Sequence, residues 1–147
     1  MPDTRVITER TITAEAGTGR MAVRGYGAVT GQGLIVHLLG GELPHVGTVV
    51  ISQPRPSLKP AGGRSCTTSV FNLLGHKDDV LAVPIAEKLA RTLDQVVVVV
   101  AGVHVSDAME ADIQALEQNA ALVGERLLAL IETSQRQEKA SLPEEKL

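Results

Sequence analysis

The sequence predicts an α/β (α+β) fold, a mixed sheet in which an N-terminal antiparallel meander is followed by a β-α-β unit and a long C-terminal helix. Two features of the apolar pattern support this prediction. Up to Gln53, short segments with β-branched or alternating residues are broken by glycine, which is typical of strands and turns. Beyond that point, two segments with helical spacing flank a run of valines, which indicates two helices around a buried strand.

Four segments in the N-terminal part have the composition of strands. They span residues 5–13, 20–29, 34–39 and 47–53. Glycine-rich turns separate them, so consecutive strands are expected to pair as an antiparallel meander. Residues 54–64 follow as a loop with three prolines and two glycines, which is long enough to be functional or mobile.

A β-α-β unit is predicted next. Its first strand covers residues 69–74, its helix covers residues 80–93 with Asp78 or Asp79 as the N-cap, and its second strand covers residues 95–103. The second strand is almost entirely valine, as expected for a strand that is covered on both faces. The crossover connection makes the two strands parallel.

The last predicted element is a long helix that starts at Ser106 or Asp107 and runs to about Thr133. Asp107 and Glu110 have the spacing of a capping box, and apolar residues at alternating spacings of three and four form one face. Residues 1–133 are therefore expected to form a single α/β domain. The polar and charged residues 134–147 are predicted to be a disordered tail.

Composition argues against several classes of function. A net charge of −3 disfavours a nucleic-acid backbone as the main partner, and Tyr26 and Phe71 are the only aromatic residues available for base stacking. No segment has the length and apolarity of a membrane span, and the N-terminal residues do not resemble a signal peptide. Cys66 is the only cysteine, which favours a reducing compartment, so we expect a cytoplasmic protein with a buried free thiol.

Three of the four histidines fall at the ends of predicted strands. His76 follows the first strand of the β-α-β unit and His104 closes the second, so both are expected at one edge of the sheet, beside the N-termini of the following helices. His45 reaches this edge as well if the strand that follows it pairs antiparallel with the first strand of the unit. The fourth, His37, lies among aliphatic residues and is expected to be structural.

Lys77, Asp78 and Asp79 directly follow His76 and belong to the same edge. Imidazoles, an ammonium group and two helix N-termini suit a phosphate or carboxylate, so these residues predict an anionic ligand. Gly102 would let a ligand or a neighbouring backbone approach closely. The alternative is that the residues are a capping aspartate, a solvated lysine and histidines that end strands.

A cluster of hydroxyl side chains leads into the first strand of the unit. It consists of Ser65, Thr67, Thr68 and Ser69, with Arg64 beside it. β-propensity and turn chemistry account for such residues, and phosphate contacts are the functional alternative. Because the cluster lies at the opposite edge from His76, one compact site that contains both requires a long ligand or a second subunit.

Five short segments of the chain carry a resemblance to a known family. They are Pro44-His45-Val46-Gly47, Gln53-Pro54-Arg55-Pro56-Ser57, Thr67-Thr68-Ser69-Val70, Gly75-His76-Lys77-Asp78-Asp79 and Ala101-Gly102-Val103-His104. In this order and spacing they resemble the small prenylated-flavin chaperone family, which includes the small D subunit of gallate decarboxylase. The similarity covers roughly residues 20–132, and its most specific part is the fourth segment together with the fifth.

The resemblance implies a function and a set of site residues. Members of the family are associated with decarboxylases that use prenylated flavin mononucleotide (FMN), and they bind and deliver or protect that cofactor rather than catalyse turnover. The chain would then bind prenylated FMN, or FMN, as a noncatalytic partner of such a decarboxylase, with the flavin prenyltransferase as a second candidate partner. The matching cofactor-binding positions are His45, Arg55, Thr67, Ser69, His76, Lys77, Asp78, Asp79 and His104.

Two other functions fit the same residues. A metal-dependent hydrolase or lyase would use His76 and Asp79, with a divalent metal ion held by histidines and carboxylates at one edge. A purely structural small subunit of a decarboxylase complex is suggested by the regular stripe on the last helix. The flat aliphatic surfaces of that helix and of the edge strands need cover, so we expect a homo-oligomer, in the simplest case a homodimer.

Overall fold

A computed structural model of the protein describes residues 9–73, Gly75 and residues 78–141. These residues form a mixed six-stranded sheet and two helices, which confirms the predicted fold class. The elements are β1 (Arg10–Ala16), β2 (Val23–Val29), β3 (Gly33–Gly41), β4 (Thr48–Pro56), β5 (Arg64–Asn72), α1 (Asp79–Leu93), β6 (Val96–His104) and α2 (Glu110–Ser141), with a short 3-10 turn at Gly19–Met21.

The strand order is β1-β2-β3-β6-β4-β5, and it corrects the predicted four-strand meander. Only β1, β2 and β3 form a meander, because β6 inserts between β3 and β4 and pairs parallel with β3. The connection from β3 to β4 passes the end of β6, where the Glu42 N–H donates to the His104 carbonyl at 2.7 Å. β4 is antiparallel to both β5 and β6, so the two strands of the predicted β-α-β unit are parallel as expected but are not neighbours.

β4 and β5 form a longer hairpin than the sequence predicts. Pro54 and Pro56, assigned to a loop, belong to β4 and lie opposite Cys66 and Arg64. Proline has no N–H to donate, and it fits here because the pairing of β4 with β6 ends at Ser52, which leaves that side of the strand without a ladder. The connecting loop is therefore confined to residues 57–63, and the hydroxyl cluster lies within β5 rather than before it.

Both helices lie on one face of the sheet. α1 packs on β4, β5 and β6, and α2 packs on β1 and β2. Alternate strand residues such as Val36, Val50 and Val99 point toward the helices and are fully buried. The valine strand β6 is thus covered on one face among the described residues, not on both as predicted, and Val96 at its start is 41% exposed.

Both ends of α2 differ from the prediction. The helix begins at Glu110, because Asp107 has a φ of 52° that is incompatible with a helical residue, and the Asp112 carboxylate accepts from the Met109 N–H at 3.0 Å instead. The helix ends at Ser141 rather than near Thr133, so residues 134–141 are helical and not part of a disordered tail. These residues are mostly good helix formers, and Glu138 pairs with Arg10 at 3.0 Å. Residues 142–147 lie outside the described residues.

Candidate functional site

The site lies at the end of the sheet where β5 and β6 finish and β4 begins, which is called the His104 end below. Thr48 at the start of β4 lies opposite Asn72 of β5 and Ala101 of β6, as the conditional pairing in the sequence prediction requires. His45 and His104 therefore meet here, with ring centroids 6.5 Å apart in a T-shaped arrangement. The predicted convergence of these two strand-end histidines is confirmed.

Asp78 holds the His104 end together. It directly precedes α1 as predicted, and the N–H groups of Leu81 and Ala82 donate to its carbonyl at 3.1 Å each. Its side chain makes no capping bond; Oδ1 accepts from the Val103 N–H at 3.0 Å, and Oδ2 lies 3.1 Å from His45 Nε2. Asp78 is 6% exposed, so its carboxylate joins the start of α1 to β6 and to His45 where little water reaches it.

His45 has oxygen acceptors at both ring nitrogens. Nδ1 lies 3.0 Å from the Leu43 carbonyl, and Nε2 faces the Asp78 carboxylate. The Leu43 carbonyl can only accept, so Nδ1 donates to it, and Nε2 shares a hydrogen bond with Asp78 Oδ2. The ring is fixed between two elements, while His104 beside it is exposed and available to a ligand.

Two glycines allow the segment before β4 to lie against β6. A Cβ on Gly102 would clash with the backbone carbonyl of His45, and a Cβ on Gly47 would clash with Asp78 Oδ2. The close approach predicted at Gly102 is therefore made by a neighbouring backbone. This backbone, the segment before β4, continues the hydrogen bonding of β4 to β6, and its Gly47 N–H donates to the Ala101 carbonyl at 2.8 Å.

A cavity of about 360 Å³ opens at these residues. Its polar wall carries His45, Asp78, His104 and Glu117 of α2, and its apolar wall comes from α1, α2, the end of β6 and the segment between β6 and α2. The apolar lining residues are Val80, Leu81, Val103, Val105, Ala108, Ile113 and Leu116. Sequence reasoning missed this apolar wall, because apolar residues on a helix have the same spacing whether they line a cavity or fill a core.

A second cavity of about 230 Å³ continues from the first between the two helices. The two share Val80, Leu81 and Glu117, and the second extends past Pro84 and Gly124. Gly124 lets α2 approach α1 closely, because a Cβ there would lie 3.3 Å from the Ile85 side chain. The two cavities together have the size and the largely apolar lining of a small-molecule site.

The other predicted site residues lie elsewhere. Arg55 is near the opposite end of β4, about 20 Å along the strand from the His104 end, and Nε donates to Thr67 Oγ1 at 3.0 Å. Ser69 lies midway along β5, opposite Ile51. Their side chains point away from the helices, so Arg55, Thr67 and Ser69 do not contribute to the cavity in one copy of the chain.

The segment between β5 and α1 carries the remaining predicted residues. His76 and Lys77 lie outside the described residues, whereas Gly75 lines the cavity with a φ of 80°. Asp79 is the half-buried first residue of α1. Within residues 9–73, 75 and 78–141, no group of three or more histidine, cysteine, aspartate or glutamate side chains could hold a metal ion.

Two residues predicted to be structural are in the sheet. Cys66 is half-buried on β5, with its Sγ 3.5 Å from the Glu87 carbonyl. His37 is half-buried in β3, and its Nε2 has no hydrogen-bond partner among the described residues. Neither helix of the described part of the chain is long and apolar enough to span a membrane.

A family model matches most of the chain. The family model described as the prenylated flavin chaperone LpdD-like domain matches residues 17–132, which include every element from the 3-10 turn to most of α2. The same range contains His45, Asp78 and His104 as well as Arg55, Thr67 and Ser69. A search of curated proteins found no match.

Proposed function

The chain belongs to the prenylated flavin chaperone LpdD-like family, and on this basis we propose that it binds prenylated FMN, or FMN, and delivers it to, or protects it for, a prenylated-flavin-dependent decarboxylase. The role is noncatalytic. The observation that carries the proposal is the two-sided cavity at the His104 end, with the hydrogen-bonded pair of His45 and Asp78 and the exposed His104 on one wall and aliphatic side chains on the other.

The donor set of the cavity fits the cofactor. A prenylated flavin has an apolar, extended ring system, a ribityl chain with hydroxyl groups and a phosphate. Aliphatic residues of α1 and α2 suit the ring. Carboxylate groups can accept hydrogen bonds from the hydroxyls of the ribityl chain, and imidazole N–H groups can donate to the phosphate. We assign His45, His76, Lys77, Asp78, Asp79 and His104 to this end of the cofactor site.

Easy release follows from the lining of the cavity. Tyr26 and Phe71, the only aromatic residues of the chain, are not among the residues that line either cavity. The flavin ring is therefore held by histidine and aliphatic side chains, without the additional energy of aromatic stacking. Moderate affinity with exchange suits a carrier, and a flavin complex that never exchanges would contradict the proposal.

His104 is expected to contact the flavin without contributing to the stability of the fold. Its exposed ring lines the cavity without bracing the fold, so His104→Ala should weaken prenylated FMN binding about tenfold while leaving the unfolding midpoint unchanged. The shift of the flavin absorbance spectrum on titration with purified protein measures the affinity. Leu58→Ala, in the loop after β4, is the control and should bind as the wild type does. No binding by the wild-type protein at roughly 50 μM flavin would contradict the proposed function.

Delivery has its own test. The flavin-loaded protein should restore activity to a decarboxylase that was purified without cofactor, and unloaded protein should not. Equal activation by free prenylated FMN, at the same concentration and in the presence of oxygen, would remove the need for a carrier. We place this partnership in the cytoplasm, as the lone cysteine suggests, with the flavin prenyltransferase as the second candidate partner.

The alternatives have less support. The metal-dependent hydrolase or lyase at His76 and Asp79 is not favoured, because the chain belongs to a family that is described as a prenylated flavin chaperone. A double variant with His76→Ala and Asp79→Ala distinguishes a purely structural subunit from a flavin carrier. A scaffold would keep both its assembly and its biological activity, whereas a carrier would lose flavin binding and keep its assembly.

A further inference from the structure

The face of the sheet opposite the helices, called the open face below, is apolar across its middle. Cross-strand register places Tyr26, His37, Val100, Val49 and Phe71 in one row and Ala28, Ile35, Val98, Ile51 and Ser69 in the next. Ile35 is 51% exposed and Phe71 is 68% exposed. Both aromatic residues of the chain therefore lie in one contiguous exposed patch, which marks an interaction surface.

The open face has the size and anatomy of a protein interface. Six strands of about seven residues give a face of about 25 by 23 Å, the same order as the roughly 800 Å² that each partner contributes to a standard interface. The two central rows contain no charged residue, whereas Glu15, Arg24 and Arg55 lie toward the two ends of this face. An apolar centre with a polar rim is typical of such surfaces.

A second copy of the chain fits this pattern. Such a pair has a two-fold axis between the two copies, perpendicular to their strands, that passes between the two central rows. Rotation about this axis packs the first row of one copy on the second row of its partner, and the second row on the first. At the centre, Val100 then meets Val98 and Val49 meets Ile51. Toward the two sides His37 meets Ile35 and Phe71 meets Ser69, so no carboxylate, ammonium or guanidinium group is buried at the centre. The strands of the two sheets run nearly antiparallel in this arrangement, which is an aligned packing of the kind that sheet sandwiches adopt.

The same axis exchanges the two ends of the sheet. Arg55 lies about as far below the two central rows as His45 and His104 lie above them, and on the same side of the sheet. Thr67 lies about half as far below the rows, in contact with Arg55. Rotation therefore brings Arg55 and Thr67 of one copy over the His104 end of the other. Two groups of residues that are about 20 Å apart in one chain become neighbours across the interface.

We propose that two copies pack open face to open face and that each flavin site is shared, with His45, Asp78 and His104 from one copy and Arg55 and Thr67 from the other. The shared site rests on the proposed function, whereas the interface does not. The Arg55 guanidinium supplies the planar pair of donors that a phosphate takes, and the Thr67 hydroxyl already holds that guanidinium in place.

The molar mass of the protein in solution tests whether two copies form this interface. Ile35→Lys places a charge in the centre of the open face, and Leu58→Lys makes the same change at a loop position that is 91% exposed. In light scattering, the wild-type protein and Leu58→Lys should have the mass of two chains, and Ile35→Lys should have the mass of one with an unchanged circular dichroism spectrum. A monomeric wild-type protein, or a dimeric Ile35→Lys variant, overturns the interface.

The shared site is tested by complementation. Arg55→Ala and His104→Ala should each bind FMN and prenylated FMN at least tenfold more weakly than the wild type. When the two variants are co-expressed with different tags, half of the dimers are mixed, and each mixed dimer has one intact site and one site with both changes. The co-expressed pair should therefore recover about a quarter of the wild-type binding capacity.

The outcomes separate the two proposals. No recovery places Arg55 and His104 in the same copy's site, and unchanged binding by Arg55→Ala removes Arg55 from the site; either result overturns sharing and leaves the flavin-binding function in place. A wild-type protein that binds neither flavin overturns the proposed function and the shared site together. The mass measurement still decides the interface in that case.

Discussion

Asp78→Ala is expected to lower the free energy of unfolding by about 3 kcal/mol and to abolish flavin binding. The change leaves the buried Val103 N–H without its acceptor, and an unsatisfied buried donor costs about 1–3 kcal/mol. It also removes the charged partner of His45, a contact that contributes about 1.5–3 kcal/mol when it is sheltered from water. Because the His45 side chain retains some exposure, we expect a total near the lower end of the sum of these two ranges. Urea unfolding followed by circular dichroism measures the loss.

Two variants show whether the bonds of Asp78 are responsible. Asp78→Asn keeps an acceptor for the Val103 N–H and should lose about 1 kcal/mol. Asp79→Ala removes the next carboxylate along the chain, which lies at the helix N-terminus and makes no hydrogen bond or ion pair to the described residues, and should lose less than about 1 kcal/mol. Equal losses for Asp78→Ala and Asp79→Ala would show that the charge near the helix matters and the bridging geometry does not.

Gly102→Ala is expected to have the next largest effect, a loss of about 2–3 kcal/mol and at least tenfold weaker flavin binding. The added Cβ would clash with the backbone of His45, and a backbone cannot turn aside as the end of a side chain can. The segment before β4 must move off β6, which breaks the bonds from the His45 and Gly47 N–H groups to β6. His45 then leaves its place between Leu43 and Asp78, so stability and binding fall together.

Gly33→Ala provides the control for this variant. Gly33 starts β3 beside β6, at the opposite end of the sheet from the cavity, and an added Cβ would lie 3.3 Å from the Val96 carbonyl. A shift of a few tenths of an ångström accommodates it, so we expect a small loss of stability and wild-type flavin affinity. Preserved binding in Gly102→Ala would show that the ligand does not depend on the position of His45.

The meeting of His45 and His104 could be predicted from the sequence because it needs only the directions of three strands. The start of β4 and the ends of β5 and β6 share one edge of the sheet whenever β4 is antiparallel to β5 and β6. This holds whether or not β4 lies between β5 and β6. The insertion of β6 beside β3 could not be predicted, because the period of apolar residues identifies a strand without identifying its neighbours.

The contacts of the Asp78 side chain could not be predicted from the sequence either. Its position before α1 follows from helix-start statistics, but those statistics favour a capping bond, and its carboxylate bonds instead to Val103 and His45. The prolines of β4 predict a loop for a similar reason, because a strand tolerates proline only on a side that carries no ladder of hydrogen bonds, and the sequence does not identify that side. The valines of β6 predict cover on two faces, and the described part of the chain covers one of them.

The position of β6 has a consequence for how the protein is made. The strand at the centre of the sheet is the last strand to leave the ribosome, after the meander and the hairpin that it joins. Until residues 96–104 emerge, those two parts have no common neighbour, and each has an unpaired strand that is open to pairing with another chain. Synthesis is therefore expected to end in one long-range closure, and this closure also creates the ligand site, because His104 is the last residue of the closing strand.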